Sequence, residues 1–257
     1  ISEVLGHFTG EDSKYKGMFY GWDVVNEAIS DATGTYRTDK ENPDEALSED
    51  RHGSNSSWWH IYQNEDFIVN AFVYANKYAP AELELYYNDY NECNIKKRKG
   101  IIELLTAVKN NEDARIDGMG MQGHYNVGSP SATEVEMAAK AYGEIVGKVQ
   151  ITEWDLSASS GYDGSPEAME KEYEKQRKTY NLMYNALQNV EKAGIDVTGI
   201  TFWGTTDANS WLNSRAGVGG GTDGTQAQCP LLFDAKYEPK PAFYVFAGGS
   251  RKGDVNE

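Results

Sequence analysis

The sequence predicts an α/β protein built on a parallel sheet and folded as a TIM (β/α)8 barrel, of which this chain supplies about five of the eight βα units. Two observations predict it. Short β-rich runs alternate with longer helical stretches, which is the pattern of a parallel sheet. Each β-rich run also ends in polar or aromatic residues, whereas an open doubly wound sheet would collect chemistry at one switch point and leave most strand ends plain.

The runs are Met18 to Asn26, Leu83 to Asn88, Ile116 to His124, Val149 to Glu153 and Gly199 to Gly204. Between them, Trp58 to Tyr78 reads as one helix, with Phe67, Ala71 and Tyr74 at helical spacing. Ile95 to Lys109 carries Ile101, Leu104, Leu105 and Val108 on one face, and Thr133 to Ile145 is a third helix. A fourth, Pro166 to Ala193, opens with proline in its first turn and stops at Gly194. The run ends supply Asn26 and Glu27, Asn88 to Tyr90, Gln122 and His124, Glu153, and Trp203. At the spacing seen here, three more units would need roughly 130 residues, yet only 17 precede Met18. The expectation is therefore residues 1–250 as the C-terminal portion of one catalytic barrel domain, starting near the helix before the fourth strand, with 251–257 as a tail. The loops Asp31 to Ser57 and Ala216 to Thr225 read as excursions over a cleft.

Composition narrows the function. Lysine and arginine number 24 against 40 aspartates and glutamates, and the resulting charge of −16 repels nucleic acid and anionic membranes. No apolar run approaches the roughly 20 residues that span a bilayer. Neither nucleic-acid binding nor membrane insertion is expected. The 17 tyrosines, 8 phenylalanines and 6 tryptophans often lie beside Asn, Asp and Gly, which suits either stacking on sugar rings or an aromatic core. Cys93 and Cys229 form no Cys-x-x-Cys pair, and no signal peptide opens at Ile1. His7, His52 and His60 lack metal-ligand spacing. The two Gly-x-Gly-x-x-Gly matches, at Gly118 and Gly219, do not join a strand to an immediately following helix and read as coincidences.

Glu27 and Glu153 stand out as carboxylates at the ends of two different strands. Trp22-Asp23-Val24-Val25-Asn26-Glu27-Ala28 and Ile151-Thr152-Glu153-Trp154-Asp155 resemble the two signatures of glycoside hydrolase family 10, the endo-β-1,4-xylanases. Tyr86 to Asn91 and Ile116 to His124 are similar to that family's fifth- and sixth-strand motifs. Thr201 to Gly204 with Asp207 and Trp211 resembles its eighth, and Pro230 to Asp234 followed by Lys240-Pro241-Ala242 its closing segment.

Acetal cleavage needs a proton on the departing oxygen and a negative group facing the oxocarbenium-like carbon, work that two carboxyls about 5–5.5 Å apart perform with retention. The resemblance implies Glu27 as acid/base and Glu153 as nucleophile. It also implies that Asn26 bonds the 2-hydroxyl of the cleaved sugar and that His124 and Asp155 orient the nucleophile. Gln122, Trp203 and Trp211 would line the cleft, with Tyr90 and Asn91 meeting sugars on the leaving-group side. Plainer readings are a loop cap for Asn26, and core packing for Trp203 and Trp22. Trp154 departs from the family's usual aliphatic residue. The implied substrates are xylan and xylo-oligosaccharides, with no cofactor and no metal. The expected setting is secreted, periplasmic or cell-surface, and the expected partner is the missing first three barrel units, carried upstream or on a separate chain. The alternatives are a related retaining β-glucanase and a non-catalytic β-glycan-binding barrel.

Overall fold

The structure, a computed structural model, describes residues 1–41, 55–214 and 227–248. His52, the loop at 216–225 with the second glycine motif, most of the loop after residue 41 and the 251–257 tail lie outside the described residues. The chain divides into two compact units, residues 1–122 with 138–150, and residues 123–137 with 151–257.

In the first unit, helix α1 (Ser2–Thr9) precedes strand β1 (Gly21–Asn26), which pairs in parallel with β2 (Glu84–Asp89). Strand β2 in turn pairs in parallel with β3 (Gly118–Met121). The register sets Asn26 opposite Asn88 and Asn88 opposite Gly120, so polar strand ends stand in one row. Because side chains alternate across a strand, the same register buries Tyr86 and Tyr87 on opposite faces of β2.

The expected helix from Trp58 to Tyr78 is broken into α2 (Ser57–Tyr62) and α3 (Asp66–Tyr78). Gln63 takes the left-handed conformation, φ 57°, and its side chain donates to the carbonyls of Trp59 and His60, while Asn64 Oδ1 accepts from Asp66 N. Such side-chain bonds to nearby backbone compete with helix continuation. Helix α4 (Ile95–Lys109) matches its apolar spacing, burying Ile101, Leu104, Leu105 and Val108 under an Asn94 cap that accepts from Lys96 and Lys97 N–H. Each such buried side chain contributes about 1.5–3 kcal/mol. Trp22, expected in the core, is half-buried, as are Val24 and Val25 on the same strand.

Helix α5 (Ala132–Val146) and strand β5 (Lys148–Ser157) each have residues in both units. In the second unit, β4 (His124–Asn126) pairs in parallel with β5, and β6 (Asp196–Phe202) pairs with β5 as well. The single run expected from Ile116 to His124 is thus two strands, interrupted by Gly123. That residue has φ 78°, and a Cβ there would approach Ile151 Cγ2 to 2.8 Å, so only glycine makes the turn freely. Helix α6 (Pro166–Lys192) is capped by Ser165, begins with proline and ends before Gly194, φ 89°. Short 3-10 turns at Asp207–Asn209 and Trp211–Asn213 and helix α7 (Phe243–Ala247) complete the unit.

Candidate active site

Glu27 N–H still donates to Asn88 O, at 2.9 Å, continuing the β1–β2 ladder one residue past the strand. The chain then turns away with Glu27 at φ 58°. A left-handed conformation costs a residue with a side chain about 1–2 kcal/mol, so the surrounding bonds must hold it. Gln122 supplies some of them: its Nε2 donates to Glu27 Oε1 at 2.9 Å and to Asn26 Oδ1 at 3.2 Å. Asn88 Nδ2 donates to the same Asn26 oxygen at 3.0 Å. With both donors on Oδ1, the Asn26 amide is oriented and its Nδ2 faces away from them. A cleft of about 860 Å³ opens beside Asn26, Glu27 and Arg37, walled by Trp58, Tyr62 and Phe67.

The second cluster grows from β5. Glu153 and Asp155 are two residues apart and share one face, while Trp154 between them points the other way. The β4–β5 register places His124 opposite Asp155. His124 Nδ1 lies 3.0 Å from Asp155 Oδ1 and Nε2 lies 3.2 Å from Glu153 Oε2. Burial disfavours the imidazolium, but hydrogen bonds to Asp155 and Glu153 outweigh it and push the His124 pKa up to about 9. Near neutrality the ring is therefore charged and donates from both nitrogens. Trp211 Nε1 donates to Asp155 Oδ2 at 2.7 Å, so the buried carboxylate is fixed from two sides. The Trp211 ring lies 4.9 Å and the Trp203 ring 6.2 Å from the His124 ring, centroid to centroid.

Trp203 is 48 % exposed, which removes core packing as its reason for being there. Asn26 is exposed, with its Oδ1 held by Asn88 and Gln122, whereas Gln122 is buried. Tyr90 and Asn91 group differently from Asn26 and Gln122. Tyr90 Oη accepts from Arg37 at 3.3 Å, its ring carries Lys97 Nζ at 3.5 Å from the centroid, and Asn91 donates to Asp31 at 3.2 Å. Lys97, 1 % exposed, bridges Asp31 and Asp89 at 2.9 Å each.

Asn88, Arg37, Tyr87 and Lys97 were not among the expected site residues. Asn88 had a signal, since it ends a strand in register with Asn26; Arg37 lies on a loop and Lys97 inside a helix pattern, where nothing local marks them. Among the described residues no group of three or more His, Cys, Asp or Glu side chains could hold a metal ion.

Strand-end carboxylates with amide, imidazolium and indole donors beside them are the kind of groups that glycoside hydrolases use. The chain belongs to glycosyl hydrolase family 10, whose model matches residues 2–248. The endo-1,4-beta-xylanase of Geobacillus stearothermophilus is 30 % identical over 261 residues, covering 95 % of this chain and 71 % of that protein. A beta-1,4-xylanase of Dictyoglomus thermophilum is 35 % identical over 250 residues, covering 95 % of this chain and 60 % of the relative. A crystal structure of CBM22-1–GH10 modules of the Clostridium thermocellum endo-1,4-beta-D-xylanase 10B, complexed with xylohexaose, aligns with a TM-score of 0.74 at 29 % identity. It covers 98 % of this chain and 45 % of its own.

The fold is the TIM barrel expected from the strand and helix order, and the described residues supply six strands. A family match that begins at residue 2 gives no support to reading the chain as only a C-terminal portion.

Proposed function

We propose that this protein is a retaining endo-1,4-β-xylanase that hydrolyses internal β-1,4 links of xylan and xylo-oligosaccharides, with Glu27 as acid/base and Glu153 as nucleophile. The observation that carries the assignment is the unlike setting of the two glutamates. Glu153 Oε2 lies 3.2 Å from Nε2 of the charged His124 ring, which orients the carboxyl group that attacks the anomeric carbon. Glu27 Oε1 instead accepts from the neutral Gln122 amide at 2.9 Å, in the position of a group that hands a proton on and takes one back.

In the first step Glu27 gives its proton to the glycosidic oxygen while Glu153 forms an ester with the sugar. In the second, Glu27 takes a proton from water, and that water displaces Glu153, so the configuration is retained. Asn26 Nδ2 is oriented to donate to the sugar's 2-hydroxyl, Trp203 and Trp211 offer apolar faces to the ring, and Tyr90 and Asn91 serve the leaving-group side. Reducing-sugar release from xylan well above that from carboxymethylcellulose, with the β-anomer appearing first by proton NMR, is the expected result. First appearance of the α-anomer rejects the reading, and no turnover favours a sugar-binding barrel.

Three further βα units, upstream or on a separate polypeptide, would complete the barrel; a strand count among the described residues below the eight of a closed barrel supports this. A 257-residue chain that is monomeric, cooperatively folded and fully active argues against it. A polymeric substrate supports a secreted, periplasmic or cell-surface setting, which cell fractionation tests.

A further inference from the structure

The peptide that follows Glu27 is gripped at both of its polar atoms. Arg37 Nε donates to Glu27 O at 3.0 Å, and Ala28 N–H donates to Tyr87 Oη at 2.9 Å. Rotation of that peptide would break both bonds together. The grip is itself built in. Tyr87 is completely buried, and its hydroxyl donates to Asp89, which leaves a lone pair to receive Ala28 N–H. Asp89 is anchored by Lys97 at 2.9 Å. Arg37 stands across a hairpin from Ala28, its N–H bonded to Ala28 O at 2.7 Å, so its side chain is returned to the strand end it came from. It also donates to Tyr90 Oη at 3.3 Å.

We propose that Tyr87 and Arg37 are positioning residues for the acid/base, locking the 27–28 peptide so that Glu27 keeps its left-handed backbone and presents its carboxyl group beside Gln122. Tyr87 cannot meet a sugar from the core, so any effect it has on proton transfer passes through Glu27. The inference rests on Glu27 being the acid/base.

The test uses Tyr87→Phe in the full chain, with Glu27→Ala beside it, on aryl xylobiosides graded by leaving-group acidity. Glu27→Ala should lose kcat/KM steeply as the leaving group worsens, and Tyr87→Phe should follow the same slope more weakly. Its expected loss is about 10- to 100-fold on poor leaving groups and about twofold or less on dinitrophenolate. Adding Tyr87→Phe to Glu27→Ala should cost nothing more. Arg37→Gln, which removes the other half of the grip, should repeat the slope and decides the matter if Tyr87→Phe does not fold. A flat loss across the series, no loss, or a further loss in the Glu27→Ala background overturns the proposal. A Glu27→Ala variant without leaving-group dependence would instead reject the acid/base reading itself.

Discussion

His124 joins the two carboxylates of β5, and its charge decides what they can do. Its pKa of about 9 lies above the ordinary 6.5, so its contribution to stability is complete below that ordinary value and is lost as pH rises through about 9. Deprotonation also removes the positive charge that lies beside Glu153 Oε2. The kcat/KM profile should therefore fall on the alkaline side near pH 9, in step with a drop in melting temperature. His124→Asn should be weakly active throughout and show no ionisation there. An unchanged alkaline limb in that variant would detach it from His124. This cluster was legible in the sequence because Glu153 and Asp155 share a strand face and His124 ends another run. The grip on Glu27 was not, because Arg37 reaches it from a loop and Tyr87 looks like any core tyrosine until its hydroxyl is placed.

Among the elements, apolar spacing was enough for α4, and Pro166 and Gly194 at the ends were enough for α6, where the structure adds the Ser165 cap. It failed where single side chains redirect the backbone, at Gln63 and Gly123. Trp154 shows how an unexpected residue is absorbed. It is 1 % exposed, stacks with Phe202 at 5.9 Å and meets Tyr180 and Phe246 edge-on at 4.9 and 5.6 Å. Its Nε1 has no hydrogen-bond partner among the described residues. Trp154→Phe keeps a ring in the stack and removes the orphan donor, so it should change unfolding free energy by about 1 kcal/mol or less. Trp154→Ala should cost about 3–5 kcal/mol. Denaturant unfolding measures both, and a large loss in the phenylalanine variant would mean that Nε1 is satisfied or that the cluster tolerates no loss of volume.

For the molecule as a whole, the −16 charge matches a neutral polymer substrate better than an anionic one, since repulsion of polyanions is built into its field. Cys93 and Cys229 are both buried and neither is in a disulfide, and burial pushes the Cys229 thiol up to about 12. Neither should react with Ellman's reagent in the native protein at neutral pH, and both should react in denaturant. Rapid native labelling would show that one of them opens to solvent.

The proposed division of labour has Glu153 attacking the sugar and Glu27 handling the proton. Its most direct measurement is mass spectrometry of peptides from protein incubated with a 2-deoxy-2-fluoro-xylobioside carrying a good leaving group, which slows the second step and traps the glycosyl ester. The expected result is one fluoroglycosyl adduct per chain, on the peptide containing Glu153, formed also by Glu27→Ala. An adduct on Glu27, or turnover with no adduct on either glutamate, would contradict it.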